Sequence, residues 1–256
     1  MGSLVLSEKK GQVIWITLNR PDKKNAINTP MATELFDELR KADEDPEARV
    51  VVIQGAGGVF SAGGDIQEMA EAEDRYKFLG EELAGGIQKC CRQMRAMKKP
   101  VIASVGGAAV GAGMALVLAS DIVIAAKDAK LSMGFVKIGL APGCGTYFLA
   151  RLVGYQKACE MVFYSDVMDG EDAEELGLVN KATKKEKLEE KTVKWAEKLA
   201  RRPPAAIATS KRLLNNSYLA GLQEHFAMER DAIGSTGMTD DFDELITNFL
   251  SKGTKK

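Results

Sequence analysis

The groups best placed to do chemistry in this 256-residue chain are main-chain amides rather than side chains. FSAGGDI (60–66) and Gly111-Ala112-Gly113 each follow an apolar run that reads as a strand, at 50–53 and 101–105; both are crowded with small residues, and the second opens a helix at Met114. A strand that passes through small residues into the first turn of a helix presents N–H groups that no intrahelical carbonyl accepts. Such donors bind an anion or an oxygen on which negative charge develops. Glycine inside a helix costs about 1 kcal/mol relative to alanine, so the glycines of VGGAAVGAGMALVLASD (105–121) imply that something approaches this backbone closely. Taken alone, the clusters leave open a second reading: tight strand-to-helix packing with no ligand. Neither is a phosphate loop, because 55–64 lacks a terminal Gly-Lys-Ser/Thr and 106–113 does not give G-x-G-x-x-G.

Side-chain chemistry is sparse. The single histidine, His225, lies in a helical pattern beside Glu224, Phe226 and Glu229, which argues against serine-histidine catalysis and multi-histidine metal sites. Cys90, Cys91, Cys144 and Cys159 show no C-x-x-C spacing and read as reduced thiols of a cytoplasmic protein, with no metal expected. With 28% charged residues and a formal net charge of -1, the chain lacks the basic excess that nucleic acid or an anionic membrane surface demands. The apolar stretch 101–126 is interrupted by Gly106, Gly107, Gly111, Gly113, Ser120 and Asp121, so no membrane span is expected.

The elements that must hold the two glycine clusters are set by periodicity. GQVIWITL (11–18) alternates and is β-branched, predicting a strand that stops at Asn19-Arg20-Pro21. Thr29-Pro30 offers an N-cap and a first-turn proline for a helix carrying Met31, Leu35, Phe36 and Leu39. The runs 50–53 and 101–105 predict strands buried on both faces, with a long amphipathic helix over 74–97 between them. Further short strands are expected at 121–125 and near Leu178-Val179, separated by helical pattern, which gives an α/β class. From Lys184 onward only helical pattern remains, so the chain divides into a core at 1–183 and a helical region at 184–256.

Arg20-Pro21 with Asn25-Ala26-Ile27, FSAGGDI at 60–66, KPVIASVGGAAVGAGMALVLASDIVIAA at 99–126, GFVKIGLAP at 134–142 and GEDAEELGLV at 170–179 stand in a recognisable order and spacing. The chain resembles the enoyl-CoA hydratase/isomerase (crotonase) family over nearly its full length. The resemblance implies a spiral of ββα units with C-terminal helices that assemble a homotrimer or a dimer of trimers. It also implies an acyl-CoA substrate, with coenzyme A entering as part of that substrate and no other cofactor. Carried onto this sequence, Gly64 and Ala112 are the two N–H donors that hold the thioester oxygen and stabilise an enolate. Lys24, Ala26, Ala62, Gly63, Asp65 and Ile66 border the CoA, and Met133, Phe135, Gly143 and Tyr147 border the acyl group.

The acids of the family are absent where the resemblance places them. Hydratases carry glutamates at the positions of Ala115 and Phe135, and isomerases carry an acid just after Pro142, where Gly143 and Cys144 stand. Alanine and phenylalanine cannot position water or deliver a proton, so a two-glutamate hydration is not expected and the branch looks closer to the isomerases. Glu68, Glu71, Glu81, Glu82 and Tyr147 are the candidate replacements, with Cys144 weaker for want of a base. The alternatives are an acyl-CoA decarboxylase or thioesterase on the same fold, or an acyl-CoA-binding protein without turnover.

Overall fold

The computed structural model describes residues 2–219 and 221–253. Its strands are β1 (Val5–Lys10), β2 (Val13–Leu18), β3 (Val50–Gly55), β4 (Val101–Val105), β5 (Ala108–Val110), β6 (Ile122–Ala126), β7 (Lys130–Ser132) and β8 (Lys181–Thr183). The helices of the first half are α1 (Thr29–Glu44), α2 (Ile66–Glu71), α3 (Arg75–Lys77), α4 (Gly85–Ala96) and α5 (Ala112–Ala119). Those of the second half are α6 (Thr146–Val153), α7 (Tyr155–Phe163), α8 (Gly170–Glu175), α9 (Leu188–Ala200), α10 (Pro204–Tyr218), α11 (Leu222–Thr236) and α12 (Asp240–Gly253).

A six-stranded sheet runs β1-β2-β3-β4-β6-β8, parallel throughout except for the antiparallel β1–β2 pair at its edge. A second, smaller layer is built from short segments that leave the carboxyl ends of these strands. Ile27 bridges Gly64, Ser61 bridges Ala109, β5 pairs with β7, and Leu131 bridges Met168. Each turn of chain therefore gives one strand to the large sheet, one short segment to the small layer and then a helix, which is the expected spiral of ββα units.

The apolar runs show why the large sheet sits in the middle. In β3, Val51 and Ile53 join the principal core with α1, α4 and α5, while Val50 and Val52 join a second core with Trp15, Ile102, Leu188 and Ala196. Period-two alternation thus feeds both faces, and α9 covers the second one. Residues 188–200, on the helical side of the boundary read from sequence, therefore pack directly on the sheet.

Several local readings need correction. Asn28, not Thr29, caps α1, since its side chain accepts from Met31 N at 3.0 Å. The strand expected at Leu178-Val179 lies instead at Lys181–Thr183. Both amides of the apolar pair donate to the Ala173 carbonyl, so the pair is a buried turn after α8. The helix over 74–97 contains a seven-residue π-helical stretch, Phe78–Ala84, between α3 and α4. The edge strand β1 and the three-residue β5 and β7 carry too little pattern to read.

Asn25 fastens the small layer to the first turn of the spiral. It is fully buried at φ +53°, its side-chain N–H groups donate to the carbonyls of Ala56 (2.9 Å) and Val59 (2.7 Å), and its Oδ1 accepts from Arg20 N (2.9 Å). Its carbonyl accepts from Ser61 Oγ at 2.8 Å. Each buried polar group left unpaired costs about 1–3 kcal/mol, so Asn25→Ala is expected to lower the unfolding free energy by about 3 kcal/mol, measured by urea titration. A loss below about 0.5 kcal/mol would contradict this role.

Candidate functional site

The two glycine clusters meet. Gly63 (φ +111°) and Gly111 (φ +52°) occupy backbone conformations that side chains rarely adopt. A β-carbon on Gly63 would lie 3.1 Å from the Val110 carbonyl oxygen and 4.0 Å from Ala112 N, and one on Gly111 would lie 3.9 Å from the α-carbon of Gly63. Gly113 completes the contact, since a β-carbon there would stand 2.7 Å from the β-carbon of Ser61. Here the glycines permit one backbone to lie against another.

Hydrogen bonding then sets the direction of the amides. Ile27 N donates to the Gly63 carbonyl at 2.7 Å and Asp65 N donates to the Ile27 carbonyl at 2.9 Å. In such a parallel bridge successive N–H groups alternate sides, so the Gly64 N–H is turned away from Ile27. On the other cluster, Gly111 N donates to the Ser132 carbonyl at 3.1 Å, and the first bond of α5 runs from Ala115 N to the Gly111 carbonyl at 2.9 Å. The Ala112 N–H is thus a first-turn donor of a helix with no side-chain cap. Among the described residues neither the Gly64 nor the Ala112 N–H has a hydrogen-bond partner.

Asp65 holds the first amide in place. Its carboxylate caps α2 by accepting from Gln67 N (3.1 Å) and Glu68 N (3.5 Å), and it pairs with Arg20 Nη2 at 2.9 Å with both side chains largely shielded. Arg20 also donates to the Ala26 carbonyl at 2.5 Å, and Ala62 N donates to the Lys24 carbonyl at 3.0 Å. Lys24, Ala26, Ala62, Gly63, Asp65 and Ile66 therefore share one continuous edge, with Lys24 and Ala62 exposed.

Apolar side chains close the other sides. The Phe135 ring tip lies 3.8 Å from the β-carbon position of Gly111, and the buried Met133 puts its carbonyl oxygen 3.6 Å from the same point. The Met69 methyl presses on the β-carbon position of Gly64, and a Leu83 methyl stands 3.2 Å from it. Leu83 belongs to the π-helical stretch, a feature frequent at functional sites. Gly143 is buried against Ile233 and Ala84. Tyr147 is buried with its hydroxyl donating to the Tyr218 carbonyl at 3.0 Å and its ring under the Arg151 guanidinium, which ties it to the packing of α6 against the end of α10.

The candidate acids separate clearly. Glu81 and Glu82 are exposed, Glu82 facing Lys77 at 3.7 Å, and the exposed Glu71 accepts from Gln67. Glu68 accepts from Thr29 N at 3.1 Å, and burial pushes its carboxyl above the ordinary glutamate value. Cys144 is fully buried and desolvation raises its thiol, which disfavours the thiolate. Sequence reasoning does not single out Arg20, Met69 or Leu83 as site residues. Their partners lie from 5 (Met69 and Gly64) to 45 (Arg20 and Asp65) positions away, and no periodic pattern marks these contacts. Among the described residues no cluster of histidine, cysteine or acidic side chains could hold a metal, and no helix is long and apolar enough to cross a membrane.

Open clefts of 340 and 590 Å³, lined by residues such as Asp45 and Lys99 in one and Arg92 and Lys98 in the other, precede the amino-terminal ends of β3 and β4. The paired amides follow the carboxyl ends of those strands, the side on which open α/β sheets bind ligands.

The Enoyl-CoA hydratase/isomerase family profile matches residues 8–256, and the chain belongs to that family. It is 34% identical to the 2,3-dehydroadipyl-CoA hydratase of Escherichia coli over 99% of this chain and 98% of that protein. To the 1,2-epoxyphenylacetyl-CoA isomerase of the same organism it is 32% identical over 98% of this chain and 97% of that protein. The solved structure of Pseudomonas aeruginosa OdaA superposes with a TM-score of 0.89 at 30% identity, covering 97% of this chain and 99% of that one. An enoyl-CoA hydratase from Mycobacterium avium subsp. paratuberculosis gives 0.88 at 30% identity, covering 96% and 99%.

Burial separates the four thiols. Cys90, Cys91 and Cys144 are fully enclosed, with Cys90 pushed up to about 12 by desolvation, while Cys159 is half-exposed beside Tyr155. A chromogenic disulfide reagent at pH 8 is expected to titrate one thiol in the native protein and all four in denaturant. Rapid reaction of Cys144, located by peptide mapping, would contradict the enclosure described.

Proposed function

We propose that the chain binds an acyl-CoA thioester and catalyses an enolate-forming proton shift on it. The thioester oxygen accepts from the Gly64 and Ala112 amides, and the single observation that supports this is the contact of the Gly63 and Gly111–Ala112 backbones, which makes neighbours of two unpartnered N–H groups from separate turns of the spiral. Removing a proton from the carbon beside the carbonyl leaves charge on that oxygen, and fixed dipoles aimed there act without reorganising. One such donor is worth roughly 10²–10³ in kcat. Phe135, Met69 and Leu83 flank the amides with apolar surface, which strengthens these bonds by excluding water and favours a hydrophobic acyl group, with Met133 buried nearby.

The CoA moiety lies along the 24–27 and 62–66 edge, where exposed Lys23 and Lys24 face its phosphates. The names of the two Escherichia coli relatives, each a CoA thioester enzyme, support this substrate class and a place in fatty or aromatic acid breakdown. A double-bond shift is favoured over hydration because Ala115 and Phe135 offer no carboxylate to position water. Exposed Tyr155, Phe163 and Tyr164 on and just after α7, with Leu213 and Leu214 on α10, support self-association, for which the family resemblance implies a trimer.

Mass spectrometry and chromatography of products from a panel of enoyl-, β,γ-enoyl- and malonyl-type CoA thioesters test the reading. The expected result is interconversion of β,γ- and α,β-enoyl thioesters, reduced at least about 100-fold in Gly64→Pro, which deletes one N–H. Release of carbon dioxide or free CoA would move the assignment to decarboxylation or hydrolysis. Binding with no turnover of any member would make the protein an acyl-CoA carrier.

A further inference from the structure

Glu229 on α11 is a buried carboxylate with one oxygen engaged and one left over. It is 5% exposed; its Oε1 accepts from Thr146 N at 2.9 Å and from the Thr146 hydroxyl, while its Oε2 is buried with no partner among the described residues. Buried polar atoms without partners are rare in folded proteins, and a carboxylate in the interior is costly unless compensated. One helical turn earlier, His225 places Nε2 2.7 Å from Thr146 Oγ and 3.4 Å from Glu229 Oε1, with about a third of its side chain exposed. A chain of polar atoms thus runs from solvent through the imidazole to the enclosed carboxylate.

The carboxylate stands at the wall where acids are missing. Gly145 abuts α5 so closely that a β-carbon on it would lie 3.4 Å from the α- and β-carbons of Ala115, three residues beyond Ala112. Glu229 hydrogen-bonds the next amide, Thr146 N. One turn further along α11, Ile233 covers Gly143. The same space holds Cys91 from α4, whose thiol points to the Ala115 carbonyl at 3.8 Å, and Cys144. Burial raises both thiols, and the charge of Glu229 raises them further. Of the nearby cations, Arg230 is turned to Gln88 Oε1 at 2.7 Å and Arg92 to Gln223 Oε1 at 2.8 Å.

We propose that Glu229 is the proton-transfer carboxylate of this site, reaching from α11 into the space beside Ala115 and Gly143, with His225 and Thr146 Oγ connecting it to solvent. The proposal rests on the acyl-CoA reading of the paired amides. Oε2 takes a proton from the carbon beside the thioester carbonyl of a β,γ-enoyl group. The C–H electron pair passes into a dienolate whose oxygen is held by Gly64 and Ala112. Neutral Glu229 then returns the proton to the γ-carbon as the electron pair shifts back, so the double bond moves and nothing is oxidised or reduced.

Glu229→Gln keeps an oxygen that accepts from Thr146 and removes the proton carrier. The expected result is a fall of at least about 100-fold in isomerisation and in α-proton exchange in deuterated water, with acyl-CoA affinity and Tm close to wild type. Turnover within threefold of wild type would overturn the proposal. His225→Gln, at a partly exposed position, cuts the path to solvent and is expected to lower deuterium incorporation at the γ-carbon; should Glu229→Gln fail to fold, unchanged incorporation in this variant overturns the proposal. Gly64→Pro run in parallel separates the two readings. An active Gly64→Pro defeats the amide site itself, whereas an inactive Gly64→Pro beside an active Glu229→Gln defeats only the role of Glu229.

Discussion

The contact of two backbones at Gly63 and Gly111 is the constraint on which the rest of the site depends. A β-carbon on either glycine would stand against the other segment's backbone, and both glycines also hold positive φ angles that other residues rarely adopt. Move either backbone outward by the width of a methyl group and the Gly64 and Ala112 amides of the proposed site would be drawn apart. The small layer resists that movement because Ile27, Ser61, Ala109 and Leu131 are joined edge to edge by bridges and strand pairs. Main-chain donors held in this way are rigid, which is what stabilising a developing charge requires.

Around this contact the chain distributes its polar groups unevenly. On the outer edge, Arg20, Asn25 and Asp65 satisfy one another and the neighbouring carbonyls, leaving the loop firm where a polar ligand would lie. On the inner side the side chains are apolar: Met69 and Leu83 lie against Gly64 and Phe135 against Gly111, which lowers the local dielectric. The π-helical stretch Phe78–Ala84 brings Leu83 to this wall, and Gly80 lets it pack against the Arg230 carbonyl of α11. The C-terminal helices are thus part of the enclosure, and α9 covers the reverse face of the sheet.

Much of this is legible in the amino-acid order alone. Buried runs such as 50–53 and 101–105 specify sheet strands because short runs rich in valine and isoleucine and bounded by turn residues favour a strand, and the glycines after them mark close approach. Which backbones approach each other is not legible, because the pairings Ile27–Gly64 and Ser61–Ala109 join single residues that carry no periodic pattern. For the same reason the exposed glutamates 81 and 82 look as eligible as any, while Glu229, more than 80 positions from Thr146, resembles an ordinary helix-surface residue. Asn25 offers a partial signal, since asparagine is among the few residues that tolerate a positive φ. Its four-way fastening, however, is a property of the folded loops alone.

The central claim is that one thioester oxygen rests between the Gly64 and Ala112 amides. Isotope-edited infrared spectroscopy of a bound acyl-CoA carrying a ¹³C-labelled carbonyl reads that contact directly. Two convergent donors polarise the bond and move its stretching band to lower frequency than in water, whereas a band at or above the aqueous position would show that the oxygen lies elsewhere.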